Sequence, residues 1–158
     1  MLTGSLASSY YGRPRTTLDI DVVVAVKRKD LATLASALKN ANLKVEEKKL
    51  EQAWRSTYRI ATLEDHDSPH TLDIIFADGK LQRKSGSVLG MRTFYQTAES
   101  LVLAKLRMIK ASLQPERVAT DREDVKAIVR FTPMRVSALR RKARAQGTYE
   151  ILDDLMRQ

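Results

Sequence analysis

Two aspartates one residue apart in an otherwise apolar run, Asp19 and Asp21 in Leu18-Asp19-Ile20-Asp21-Val22-Val23-Val24, carry the clearest chemical signal in this chain. In a strand, alternate side chains share a face. Both carboxylates therefore point one way with Val23 and Ala25, while Leu18, Ile20, Val22 and Val24 point the other. Carboxylates paired in apolar surroundings are hard oxygen donors of the kind a divalent cation neutralises. A third acid, Asp73, stands in a second apolar run, Thr71-Leu72-Asp73-Ile74-Ile75-Phe76, and Gly4-Ser5 lies upstream. An exposed polar face of a half-buried sheet is the plain alternative for Asp-x-Asp. The coincidence of Gly4-Ser5 and Asp73 favours a site that handles a nucleoside triphosphate.

Such a site needs strands to carry the acids and helices to cover their backs. The pattern predicts a short helix over 5–11, a loop at Gly12-Arg13-Pro14-Arg15, and a strand over 17–26. Asp30 is expected to cap a helix over 31–41, in which Leu31, Leu34, Ala35 and Leu38 recur at helical spacing. A short strand at 43–45, a helix over 46–55 and a strand over 57–63 follow. The polar turn from Glu64 to His70 then leads into the Asp73 strand as a hairpin. This order indicates an α/β (α+β) fold with a mixed, partly antiparallel sheet flanked by helices, mainly on one side. Gly79 to Tyr95 reads as a basic connection between lobes. Helices are expected over 97–111, 120–131, 134–146 and 148–156, with Thr120 and Glu123 forming a capping box. The expected division is a core at 1–80 and a C-terminal helical subdomain at 95–158.

With these residues in place, the chain resembles the DNA polymerase beta-like nucleotidyltransferase superfamily, and within it the small prokaryotic members related to AbiEii toxins of type IV toxin–antitoxin systems. The resemblance rests on Gly4-Ser5, a spacer of 13 residues, Asp19-Ile20-Asp21, and Asp73 on a later strand. It extends through the run from Ala98 to Leu106 and Asp121-Arg122-Glu123-Asp124-Val125, covering about residues 1 to 131. Relatives usually carry a helix ahead of the Gly-Ser strand, whereas only Met1-Leu2-Thr3 precedes Gly4 here. A short first strand and self-association into a homodimer are therefore expected.

The resemblance implies an Mg²⁺- or Mn²⁺-dependent transferase that moves a nucleoside monophosphate from an NTP to a hydroxyl acceptor. Asp19, Asp21 and Asp73 would be the catalytic and metal-binding acids. In phosphoryl transfer, catalysis is mostly metal positioning and electrostatics. Gly4 would let backbone approach phosphate, and Ser5 with the amides opening the next helix would donate to it. Arg13 and Arg15 lie where they either touch phosphates or serve as ordinary loop charges. Lys105 falls inside the apolar stripe of its helix, so it either meets phosphate or pairs with Asp121, which lies on the apolar side of its own helix with Val125 and Ile128. The expected partners are the NTP, RNA such as a tRNA end, and a cognate antitoxin. A catalytically inactive copy of the fold, acting as a nucleic-acid- or partner-binding protein, is the alternative.

Composition narrows the classes further. The 158 residues suffice for one core with a helical appendage, and a net charge of +9 suits an anionic partner. Seven basic residues and no acid lie between Lys126 and Gln146, as a solvated helical face or a phosphate-tracking one. The absence of cysteine excludes disulfides, thiol nucleophiles and thiolate metal sites. No apolar run reaches the roughly 18 residues of a membrane span, so a cytoplasmic protein without membrane contact is expected. His66 and His70 read as part of a solvated turn, and Trp54 and Tyr58 as core residues or base-stacking ones. No Ser-His-Asp set, Walker loop or dinucleotide fingerprint is present.

Overall fold

The computed structural model of the chain describes residues 1–157, which form seven helices and five strands among the described residues. The chain divides into two compact units, one of Met1–Leu6 with Thr16–Tyr95, the other of Ala7–Arg15 with the chain from Gln96 onward. The first helix, α1 (Gly4–Tyr11), starts in one unit and ends in the other.

The first unit is built on a three-stranded mixed sheet. Strand β1 (Asp19–Val24) pairs in parallel with β3 (Thr71–Phe76), and β3 pairs antiparallel with β2 (Ile60–Glu64), so β3 is central. Directly opposed residues point to the same side. The register joins Val22 to Ile74 and Val24 to Phe76, and Ile74 to Ala61. These, with Leu63, form the inner face. Helices α2 (Leu31–Asn40) and α3 (Glu47–Arg55) cover it with Leu31, Ala35, Leu38 and Leu50, all buried in one cluster with the strand residues. Burying an aliphatic side chain of this size contributes roughly 1.5–3 kcal/mol, so this face holds the sheet to its helices. The helices lie on that side and leave the opposite face, with Asp19, Asp21 and Asp73, to other uses.

Several local details differ from expectation. A 3-10 turn (Arg28–Asp30) precedes α2, and Asp30 makes no side-chain cap. Residues 43–45 contribute a single bridge, Leu43 to Asp65, rather than a strand. The stretch expected as a connection between lobes forms a two-stranded sheet of its own, β4 (Arg83–Val88) with β5 (Met91–Gln96). Residues 1–3 run along β1, where the Val23 N–H donates to the Met1 carbonyl at 2.8 Å and the Thr3 N–H to that of Asp21 at 3.0 Å. Leu2 also donates to the Phe94 carbonyl at 2.7 Å. This edge of the sheet is therefore hydrogen-bonded rather than open.

The second unit is helical: α4 (Ala98–Ala111), α5 (Pro115–Phe131), α6 (Val136–Ala145) and α7 (Tyr149–Arg157). Helix α5 begins five residues earlier than the capping box implied. Pro115 at its first turn is pre-set for helix, and Thr120, inside the helix, donates instead to the Glu116 carbonyl at 3.0 Å. Leu101, Val102 and Leu106 of α4, Val125 and Ile128 of α5, Leu139 of α6 and Leu152 of α7 are all fully buried.

A charged group sits inside this apolar packing. Lys105 Nζ lies 2.6 Å from Asp121 and 2.8 Å from Asp124, and all three residues are more than nine-tenths buried. Arg15 reaches the same Asp124 with a two-pronged contact, Nε and Nη2 each 3.3 Å from a carboxylate oxygen. Two cations thus face two acids. Burial by itself would push the Asp124 carboxyl up. The hydrogen bond and charge of Lys105, then those of Arg15, outweigh it and hold that carboxyl below its ordinary value.

Removing one partner from a buried, balanced group leaves an uncompensated charge. Lys105→Met is therefore expected to lower the unfolding free energy by roughly 3–5 kcal/mol, read by chemical denaturation. An unchanged midpoint would show that the group contributes nothing. Because the folded-state value of Asp124 is lowered, its stabilisation is complete at neutral pH and fades as pH falls below about 4. Denaturation midpoints followed from about pH 5 to about pH 2 should fall less steeply for Asp124→Asn than for the parent chain.

Candidate functional site

The parallel register of β1 and β3 decides where the acids stand. It joins Asp21 to Asp73, Asp19 to Thr71 and Val23 to Ile75, all on the face turned away from α2 and α3. The two central carboxylates are therefore set on adjacent strands about 5 Å apart along the sheet. Strand β2 completes the row with Thr62, whose hydroxyl donates to Asp73 Oδ1 at 2.6 Å. Thr62 thus orients one of the two Asp73 oxygens. Glu64 extends the row of Asp19 and Thr71, with Lys44 3.0 Å from its carboxylate.

Asp19 lies one strand repeat from Asp21, about 6.6–6.8 Å along the chain. It is exposed, whereas Asp21 and Asp73 are half-buried, so the pair is less enclosed than an apolar strand suggested. The three acids do not close into one cluster as they stand: among the described residues no three carboxylate, imidazole or thiolate groups are placed to share a metal ion. The donor chemistry itself suits a hard cation, since carboxylate oxygens are the ligands Mg²⁺ takes, in small number and alongside substrate oxygens.

Gly4 meets this acid face. Gly4 opens α1 with a φ of +54°, a conformation that favours glycine, and a Cβ built there would fall 1.9 Å from Asp21 Oδ2 and 2.6 Å from its Cγ. The Asp21 carboxylate thus rests against the first turn of α1, where backbone amides point outward and the helix dipole favours negative charge. Beyond Asp21 the same face of β1 runs through Val23 and Ala25 into a cavity of about 400 Å³, which Lys80, Leu81 and Arg83 also line.

The expected phosphate contacts divide between the units. Gly4, Ser5 and the three acids belong to the first; Arg13, Arg15 and Lys105 belong to the second. Arg15 and Lys105 are engaged with Asp124, and Lys105 with Asp121, which is the internal pairing that the apolar setting of Lys105 allowed. Arg13 is exposed. Trp54 is a structural residue, its ring N–H donating to the Val26 carbonyl at 3.1 Å, while Tyr58 is 86% exposed and so is not core. His70 is exposed, with Nδ1 3.1 Å from the Leu18 carbonyl. Sequence patterns missed Thr62, because only the cross-strand register reveals its partner.

Replacing Gly4 should act on Asp21 as well as on the backbone. Gly4→Ala is expected to destabilise the chain by about 1–2 kcal/mol through the left-handed backbone alone, and to displace the Asp21 carboxylate. Thermal denaturation together with the Asp21 side-chain carbon shift by NMR checks both. An unmoved Asp21 signal would contradict the close approach.

No family model matches the chain, and no curated protein does. Among solved structures, the chain superposes on the crystal structure of an antigenic nucleotidyltransferase-like protein from Paracoccidioides brasiliensis with a TM-score of 0.54 at 13% identity. The match covers 82% of this chain and 66% of that one, so the chain spans just under two thirds of that protein's length. At this identity the likeness is one of fold. No helix is long and apolar enough to cross a membrane. The chain has a mixed α/β fold of the nucleotidyltransferase-like kind.

Proposed function

We propose that the protein is a nucleotidyltransferase that moves a nucleoside monophosphate from an NTP to a hydroxyl acceptor on the open face of its mixed sheet, the acceptor oxygen bonding to the α-phosphorus as the bond to the β-phosphate breaks and pyrophosphate leaves. The observation that carries this reading is the register of Asp21 opposite Asp73, with Asp19 one repeat away and Gly4 against Asp21. Asp19, Asp21 and Asp73 would hold Mg²⁺ or Mn²⁺, which when bound supplies charge neutralisation and polarisation of the transferring phosphoryl group. Asp73 takes the acceptor's proton, held in orientation by Thr62. Ser5 and the first amides of α1 receive phosphate oxygens. The nearby cavity gives room for part of a substrate.

The biological setting we favour follows the resemblance to AbiEii-like toxins, with the end of an RNA as acceptor and a cognate antitoxin as inhibitor. A second reading, a nucleic-acid-binding protein on an inactive copy of the fold, is favoured by one observation: the acids do not converge into a three-ligand cluster.

Incubation with labelled NTPs, Mg²⁺ and total RNA separates the two. Transfer to RNA that falls at least about 100-fold in Asp73→Asn supports the enzyme, in keeping with loss of a proton-transferring group. Equal labelling by that variant, or no labelled product on RNA or any other acceptor from the parent chain, refutes it.

A further inference from the structure

The paired strands β4 and β5 are the most one-sidedly charged part of the first unit. Residues 79–98 contain Lys80, Arg83, Lys84 and Arg92 and no acid. The strands are joined through Leu89 and Gly90, with φ of +48° and +79°. Positive φ at both loop positions is the geometry whose twist suits a tight hairpin. A leucine is a poor choice there, since a bulky residue rarely adopts this conformation. It is also 93% exposed, and Met91 beside it is 66% exposed. Folding therefore does not account for this side chain, as Asn or Gly would serve the turn better.

The root of the ribbon is fixed. Tyr95 is buried and its hydroxyl donates to the Ser87 carbonyl at 3.1 Å, while the Phe94 carbonyl accepts from Leu2. Arg83 and Arg92 lie on the Phe94 ring, their guanidinium carbons 3.9 Å and 5.9 Å from its centroid. Stacking on the ring pre-orients both cations. Arg83 and Lys80 then line the cavity into which the acid face of β1 runs.

We propose that this hairpin holds a single-stranded nucleic acid, its phosphates on Lys80, Arg83 and Arg92 and a base against Leu89 at the tip. Charge complementarity selects the partner: a run of cations without an intervening acid suits a polyanion, and arginines on an aromatic ring beside exposed apolar groups suit alternating phosphates and bases. An anionic membrane is a poorer match, because the exposed apolar residues are confined to the tip and form no continuous face. The cavity that Lys80 and Arg83 share with Val23 and Ala25 of the acid-bearing strand gives the bound nucleic acid a purpose only if the proposed transfer is correct, whereas the binding itself does not depend on it.

The test uses the full chain without NTP or metal, and fluorescence anisotropy of a labelled mixed-sequence single-stranded RNA at several salt concentrations. Lys80→Gln with Arg92→Gln should weaken binding and reduce the slope of log affinity against log salt by about 1.4, or 0.7 per lost phosphate contact. Leu89→Asn should keep or raise the thermal midpoint, since Asn tolerates the turn better, yet weaken binding by about 4-fold, as loss of roughly one methylene's worth of apolar contact does. An unchanged slope and affinity in the double variant overturn the proposal. So does hairpin-dependent binding to phosphatidylserine vesicles with none to RNA. RNA binding that follows these variants without any nucleotide transfer would leave the hairpin proposal standing and fail the transferase reading; transfer to a non-nucleic acceptor without RNA binding would do the reverse.

Discussion

The parallel pairing of β1 with β3 is the constraint on which the candidate site depends. Because side chains alternate in a strand, a slip of one residue would carry Asp73 to the inner face and send Ile74 outward. The apolar cluster of Ile74, Phe76, Ala61 and Leu63 under α2 and α3 prevents that slip. The same burial that holds the sheet thus fixes the acids on the opposite side. Stability and site geometry are one feature read from two faces.

A second constraint organises the helical unit. Lys105, Asp121, Asp124 and Arg15 form a neutral group in low-dielectric surroundings, where well-packed apolar residues would often stabilise as much. Its geometric effect is to tie residue 15 to α5 within this unit. A positional role of this kind explains why two cations and two acids occupy what is otherwise leucine, valine and isoleucine.

The acid face was legible because period-two alternation is the strongest signal a half-buried strand emits: Asp19 and Asp21 form its polar phase in β1, and Asp73 breaks an apolar run in β3. The inner helices were legible for the same reason at period 3.6. What escaped notice lacked such a pattern. The β4–β5 hairpin contains Ser85-Gly86-Ser87 and a Leu89-Gly90 turn in place of a favoured Asn-Gly, so its composition reads as a linker. Thr62 became visible only once the register set it opposite Asp73. At α5, Pro115 prevailed over the capping box at Thr120, because a fixed φ at the first turn starts a helix wherever the following residues sustain it.

On the proposed reading, Asp21 and Asp73, with Asp19, form one metal- and phosphate-facing surface. Paramagnetic broadening of backbone amide signals by Mn²⁺, in the presence of a non-hydrolysable NTP, tests it most directly. Broadening centred on residues 19–21 and 72–74, and lost in Asp73→Asn, is the predicted result. Broadening centred on the turn from Glu64 to His70, or none at any site, would contradict it.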